Sequence, residues 1–270
     1  MNKQILVLDI DGTLTNSQKI ITEPTKQALF AMQEAGKTVI IASGRPTKGT
    51  APLSDALRLS DYGGYVLSYN GARVVHMSTG RILYNLAFPK EYLPQIYELA
   101  LERNVGLITY DPDDNVITGT RTDPYMELES RINHLSLTQV DDFIGAVRFP
   151  VNKCLISGEP SVLAPLTEEL REKYRGLLNV YRSEPFFLEL MPPAVDKAHA
   201  LERLIPALGL TADDCVCCGD GYNDISMIRY AGIGVAMGNA QPEVKEAADV
   251  ITRSNDEDGL VPIIEKYFLN

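Results

Sequence analysis

The sequence has no apolar run of the ~20 residues that a membrane-spanning helix needs. It also lacks any excess of positive charge. Lys and Arg number 25 against 36 Asp and Glu, a formal net charge of −11. The first absence argues against a membrane span. The second argues against nucleic acid, because a long polyanion needs a basic surface. A small anion held by a few local cations or a metal stays possible. Histidine is scarce: His76, His134 and His199 are the three present, without metal-ligand spacing. Cysteine is also scarce, with four residues. Three of them, Cys215, Cys217 and Cys218, fall in "DDCVCCGDG", a strand-like run in which Cys217 and Cys218 would point to opposite faces. With no histidine nearby, buried and reduced thiols are expected instead of zinc. Internal repeats and low-complexity tracts are missing. The opening stretch "MNKQILVLDIDG" meets the acids Asp9 and Asp11 too soon for a signal peptide, so a cytoplasmic protein is expected.

What is present is a substantial apolar fraction, 45% of 270 residues, enough for one large domain or two modest ones. Residues 4–9 are an uninterrupted apolar strand, the pattern of a parallel sheet covered on both faces. A helix should follow, with Thr22 at its N-cap, Pro24 in its first turn and Gly36 past its end. Strands are expected at 38–42 and 65–68, then a hairpin at 73–76 and 82–86. From about residue 192 strand and helix alternate again: helix 197–208, strand 215–218, helix 225–230, strand 232–236, helix 242–247, strand 250–251 and a last helix. This is an α/β, doubly wound and mainly parallel sheet. The middle breaks that alternation, with helices at 91–103, 124–135 and 161–174 among strands at 106–110, 116–120, 153–157 and 186–190. It is expected to be an inserted α+β domain over 87–188. The core would then be 1–86 plus 189–270.

Chemistry is concentrated at the strand ends. "DIDGT" places Asp9 and Asp11 on one face of the chain, where two unpaired carboxylates are costly without a cation or hydrogen bonds. A hard, oxygen-liganded cation such as Mg2+ suits them, although a polar strand end at a turn would look similar. "IIASGRP" offers the Ser43 hydroxyl and the Gly44 N–H to an anion. "GDGYND" supplies Asp220, Asn223 and Asp224, which also fit a helix N-cap and acidic first turn. Lys197 opens a helix, where the dipole disfavours a cation, and by itself would read as a surface lysine.

Taken together, "DIDGT", "IIASGR", Lys197 in "AVDKAHAL" and "GDGYND" resemble the four motifs of the haloacid dehalogenase superfamily. "YNGA", "FFLELMPP" and "VAMGNA" are similar to segments of its Cof-type branch. "TRTDPYMELES" and "SNDEDGLVPIIEKYFLN" resemble the YidA-type sugar phosphatases. The resemblance spans the whole chain. It departs at Asp196 and Ala198, where the branch usually has Ser or Asn and Gly around the lysine.

The resemblance implies a Rossmann-like core with an inserted cap, and a Mg2+-dependent phosphomonoesterase acting on small phosphorylated metabolites, sugar phosphates first. Asp9 would be the nucleophile that forms an aspartyl-phosphate, and Asp11 the acid and base. The metal would take Asp9, the Asp11 carbonyl and Asp220, with Asp224 in support. Ile10, Ser43, Gly44, Lys197 and Asn223 would hold the phosphoryl oxygens. Thr13 would fix the nucleophile loop. Arg45 could reach phosphate or pair with an acid. Asn70 could frame the site or merely form a turn, and Glu189 could face substrate or simply be a strand-end acid. The cap would choose the substrate. A phosphotransferase or phosphomutase of the same superfamily, or a nucleotide or cofactor phosphatase, is the alternative. The protein would be a monomer or small homo-oligomer.

Overall fold

The computed structural model describes residues 3–269. The chain forms two compact units. One comprises the residues through Gly44, Thr50–Tyr84 and those from Asp196 onward; the other is 45–49 with Asn85–Val195. The strands in chain order are β1 (Ile5–Leu8), β2 (Thr38–Ala42), β3 (Tyr65–Ser68), β4 (Arg73–His76), β5 (Arg81–Asn85), β6 (Gly106–Tyr110) and β7 (Val116–Thr118). Then come β8 (Leu137–Gln139), β9 (Cys154–Ser157), β10 (Asn179–Glu184), β11 (Phe187–Met191), β12 (Cys215–Gly219), β13 (Ile233–Ala236) and β14 (Val250–Ile251).

In the first unit the sheet order is β14-β13-β12-β1-β2-β3-β4-β5. It is parallel from β14 to β3 and antiparallel where β4 meets β3. β1 is apolar throughout because both of its faces are covered. Leu6 and Leu8 pack with Leu29 and Met32 of helix Glu23–Glu34 and with Ile263 and Ile264. Ile5 and Val7 pack with Leu201, Leu204 and Ile205 of helix Lys197–Ala207 and with Met227 of helix Ile225–Tyr230. Cys217 and Cys218 fall on these opposite faces, free and buried. Strands buried on both sides leave only their ends accessible. The central position of β1, with β12 and β2 beside it, brings three such ends together.

The second unit is a mostly antiparallel sheet of order β10-β11-β9-β6-β7-β8, with β7 and β8 parallel. Helices Leu93–Glu102 and Pro160–Lys173 supply Ile96, Leu163, Leu166 and Leu170 to one face, against Leu107, Ile156 and Leu188. Helix Pro124–Ile132 lies on the other face, where the Tyr110 hydroxyl donates to Glu129 at 2.6 Å.

Several expectations shift. The second unit extends to Val195, not 188, because β11 is hydrogen-bonded between β10 and β9 (Leu188 opposite Ile156, Leu190 opposite Cys154). Glu189 therefore belongs to this unit and lies mid-strand. The short β8 and the largely exposed β10 were not anticipated. Thr22 does precede helix Glu23–Glu34, but its hydroxyl bonds Asp258 and not a helix N–H.

Candidate active site

Leu8 is paired with Cys218 on one side and Ile41 on the other, so Asp9 emerges between the ends of β12 and β2. Its N–H donates to the Cys218 carbonyl at 3.1 Å, and the residue is 8% exposed. Lys197 meets it from the start of helix Lys197–Ala207. The Lys197 Nζ lies 2.6 Å from Asp9 Oδ1 and 2.6 Å from Asp224 Oδ1, with 1% of the residue exposed. This corrects the surface reading of Lys197. A cation at a helix start is opposed by the helix dipole, and two carboxylates offset that here. Asp196 caps the helix by accepting from the N–H of Ala198 (2.7 Å) and His199 (3.3 Å). An acid at this position thus serves as the helix cap.

Asp224 is fully buried. Its Oδ1 accepts from Lys197, and its Oδ2 from the N–H groups of Asp220 (3.0 Å) and Gly221 (2.9 Å). It anchors both the lysine and the loop that carries Asp220. Asp220 in turn accepts from the Thr13 hydroxyl at 2.8 Å. Thr13 therefore joins the β1 loop to the β12 loop. Gly12 makes that approach possible: its φ is +91°, and a Cβ there would stand 2.3 Å from Asp220 Oδ2. Asn239 also braces this loop, donating from Nδ2 to the Gly12 carbonyl at 2.8 Å. Sequence reasoning missed Asn239 as an individual residue, although "VAMGNA" had marked its segment.

Carboxylate oxygens of Asp9, Asp220 and Asp224 lie within 4.8 Å of one another. Burial, then the neighbouring Asp224 carboxylate, push the Asp9 carboxyl up to about 7 against the pull of Lys197. Burial pushes Asp220 up to about 6, opposed by the Thr13 hydrogen bond. Burial also works against the Lys197 ammonium, but Asp224 and Asp9 outweigh it and hold its pKa above the ordinary lysine value. Asp9 and Asp220, both held above their usual range, gain from a hard divalent cation. The residues present fit such an ion. The thiols do not compete, since burial raises the pKa of Cys217 and Cys218.

On the other side of Asp9, β2 ends in Ser43 and Gly44. The Ser43 N–H donates to Leu67 O (2.8 Å), and its carbonyl accepts from the Asn70 N–H (2.9 Å). The Asn70 side chain lies against Gly44, and its Oδ1 accepts from Asn223 Nδ2 at 3.1 Å. Asn70 thus links the ends of β2, β3 and β12, more than the simple turn that Asn-Gly suggests. Tyr69, Asn70 and Gly71 all have positive φ. At Gly71 a Cβ would lie 2.6 Å from the Asp196 carbonyl, so this turn packs against the N-cap of the Lys197 helix. Ile10 follows Asp9 in the same loop, where its carbonyl accepts from the Thr15 N–H at 3.0 Å. Asp11 is directed outward, with Oδ1 2.9 Å from Lys19 Nζ.

Two expected residues lie in the second unit. Arg45 belongs to the stretch 45–49. Glu189 is no strand-end acid: it is buried, 3.3 Å from Lys153 Nζ, and accepts from the Tyr181 hydroxyl at 3.3 Å.

The haloacid dehalogenase-like hydrolase family model matches residues 6–264. A solved haloacid dehalogenase-like hydrolase from Bacteroides thetaiotaomicron superposes with a TM-score of 0.94 at 43% identity, over 99% of this chain and 100% of its own. The sugar phosphatase BT4131 superposes with a TM-score of 0.81 at 26% identity, over 98% of both chains. The Bacillus subtilis 5-amino-6-(5-phospho-D-ribitylamino)uracil phosphatase YcsE is 27% identical over 98% of this chain and 96% of its own. Among the described residues no helix is long and apolar enough to cross a membrane.

Proposed function

The chain belongs to the haloacid dehalogenase-like hydrolases, and from that premise we propose that it is a Mg2+-dependent phosphomonoesterase. Its substrates are small phosphorylated metabolites, sugar phosphates or sugar-derived cofactor precursors. The observation that carries this reading is the pairing of buried Asp9 with buried Lys197, beside Asp220 and Asp224.

Asp9 attacks phosphorus and becomes an aspartyl-phosphate. Lys197 holds Asp9 Oδ1 and so helps orient the carboxyl for attack. The ammonium has three donors. Two meet Asp9 and Asp224, and the third is the one that holds a phosphoryl oxygen. Ser43, the N–H groups of Ile10 and Gly44, and Asn223 hold the others. Asp11 gives a proton to the leaving oxygen and then takes one from the water that hydrolyses the intermediate. Asp9, the Asp11 carbonyl and Asp220 would hold the metal, with Asp224 supporting them. Mg2+ supplies neutralisation of phosphoryl charge when bound.

The test is a panel of phosphomonoesters offered to the purified protein with Mg2+ and with chelator. Inorganic phosphate should be released with Mg2+ and without any bisphosphate activator. Phosphoryl transfer between substrate positions in place of release would assign a mutase instead.

A further inference from the structure

The stretch 237–241, which follows β13, bonds to both of the loops that carry the site's converging acids. The Met237 N–H donates to the Gly219 carbonyl at 3.0 Å, and the Gln241 N–H to the Asp220 carbonyl at 3.1 Å. Between these two anchors the Asn239 side chain crosses to the β1 loop and meets the Gly12 carbonyl at 2.8 Å. The stretch is closed on itself, since the Ala240 N–H donates to the Met237 carbonyl at 3.0 Å. A third segment ties it from outside. The Gly238 N–H donates to the Arg253 carbonyl at 2.9 Å, and Asn239 Oδ1 accepts from the Asn255 N–H at 3.0 Å. Asn255 Nδ2 in turn donates to the Thr15 carbonyl at 2.9 Å. Both ends of the Asn239 amide are thus engaged, although the residue is exposed. The Gly12 carbonyl belongs to the peptide that leads into Thr13, whose hydroxyl donates to Asp220 Oδ1 at 2.8 Å.

We propose that Asn239 is a positioning residue for the metal site. It holds the Gly12–Thr13 peptide against a stretch that is itself tied to Asp220, and so sets the separation of the Asp9 and Asp220 carboxylates. This role rests on the reading of those carboxylates as Mg2+ ligands. Mg2+ tolerates little departure from its preferred octahedral geometry. Two donors carried on separate loops keep their spacing only if the loops are tied together. Losing a partner that orients a ligand from outside the coordination sphere costs about 10- to 100-fold in metal affinity. Substitution of an exposed polar residue changes global stability little. The consequence of losing Asn239 therefore falls on the spacing of the acids and not on folding.

The test titrates Mg2+ alone into the full chain by calorimetry, with denaturant midpoints measured alongside. Asn239→Ala should weaken Mg2+ binding about tenfold and leave the midpoint near that of the unaltered chain. Thr13→Val should weaken binding as well. In the Thr13→Val background Asn239→Ala should cost little more, because Asn239 acts through Thr13. Gly36→Ala lies outside this network and should leave Mg2+ affinity unchanged. An unchanged affinity in Asn239→Ala overturns the inference. So does full additivity with Thr13→Val, or an equal weakening in Gly36→Ala. Asp220→Asn is the control on the underlying reading. If it binds Mg2+ as the unaltered chain does, these carboxylates are not the metal site, and the role of Asn239 falls with that reading. If Asp220→Asn loses Mg2+ while Asn239→Ala keeps it, the reading of the site stands and the role of Asn239 alone is overturned.

Discussion

At Asp9 one carboxyl meets opposing demands, burial and acidic neighbours against the charge of Lys197. Its pKa rises from 3.8 to about 7 on folding. The contribution of the carboxyl to stability is therefore complete below about pH 4 and is lost as the pH climbs through about 7. In metal-free protein at pH 8 the ionised group is a net cost. Asp9→Asn should abolish phosphate release, yet melt above the unaltered chain in chelator at pH 8, with the gap closing toward pH 5. Added Mg2+ should reverse the order. Thermal melts across pH check this, and an Asp9→Asn protein that melts lower at pH 8 in chelator would contradict it. The convergence of Asp9 and Asp220 was legible in the sequence because acids at the ends of apolar strands are costly and so conspicuous. The burial of Lys197 was not, because it depends on groups brought from elsewhere by the fold. Only the motif resemblance singled that lysine out.

Among the elements, the turn Tyr69–Gly71 places the Lys197 helix through contact between Gly71 and the Asp196 carbonyl. Gly71→Ala should therefore cost activity as well as stability. The strained φ of +93° and the 2.6 Å contact together suggest a loss on the order of 1–3 kcal/mol. Gly36→Ala is the control. Its φ is +78°, with nothing within 4 Å of the added carbon, so it should lower stability while leaving kcat near that of the unaltered chain. Denaturant midpoints and phosphatase rates measured on both variants separate the two effects. Equal kcat in both would remove the turn from the site's construction. Strands such as β2 and β3 could be read from the sequence because they are apolar runs bounded by breakers. β10 could not, since four of its six residues (Asn179, Arg182, Ser183 and Glu184) are polar and only pairing with β11 makes the segment a strand.

Over the whole molecule, the break in β–α alternation was enough to reveal a second folded unit. Its limits escaped because β11 and the stretch 45–49 are assigned by packing, not by local pattern. With a net charge of −11, the proposed mechanism calls on local devices in place of a basic surface: one buried lysine, backbone N–H groups and carboxylates suited to a cation. Raised carboxyls also make metal affinity depend on pH, since Asp9 and Asp220 must shed protons to bind. Mg2+ affinity should therefore strengthen as pH rises from about 5 to 8, and a flat profile by calorimetry would speak against these ligands. The central claim is that Asp9 itself carries the phosphoryl group. Asp11→Asn protein, mixed with Mg2+ and p-nitrophenyl phosphate and quenched in acid, should yield one phosphoryl group on the peptide containing Asp9. The same peptide from protein that also carries Asp9→Asn should be unmodified. A phosphoryl group on any other residue, or none while p-nitrophenolate is still released, would contradict the account.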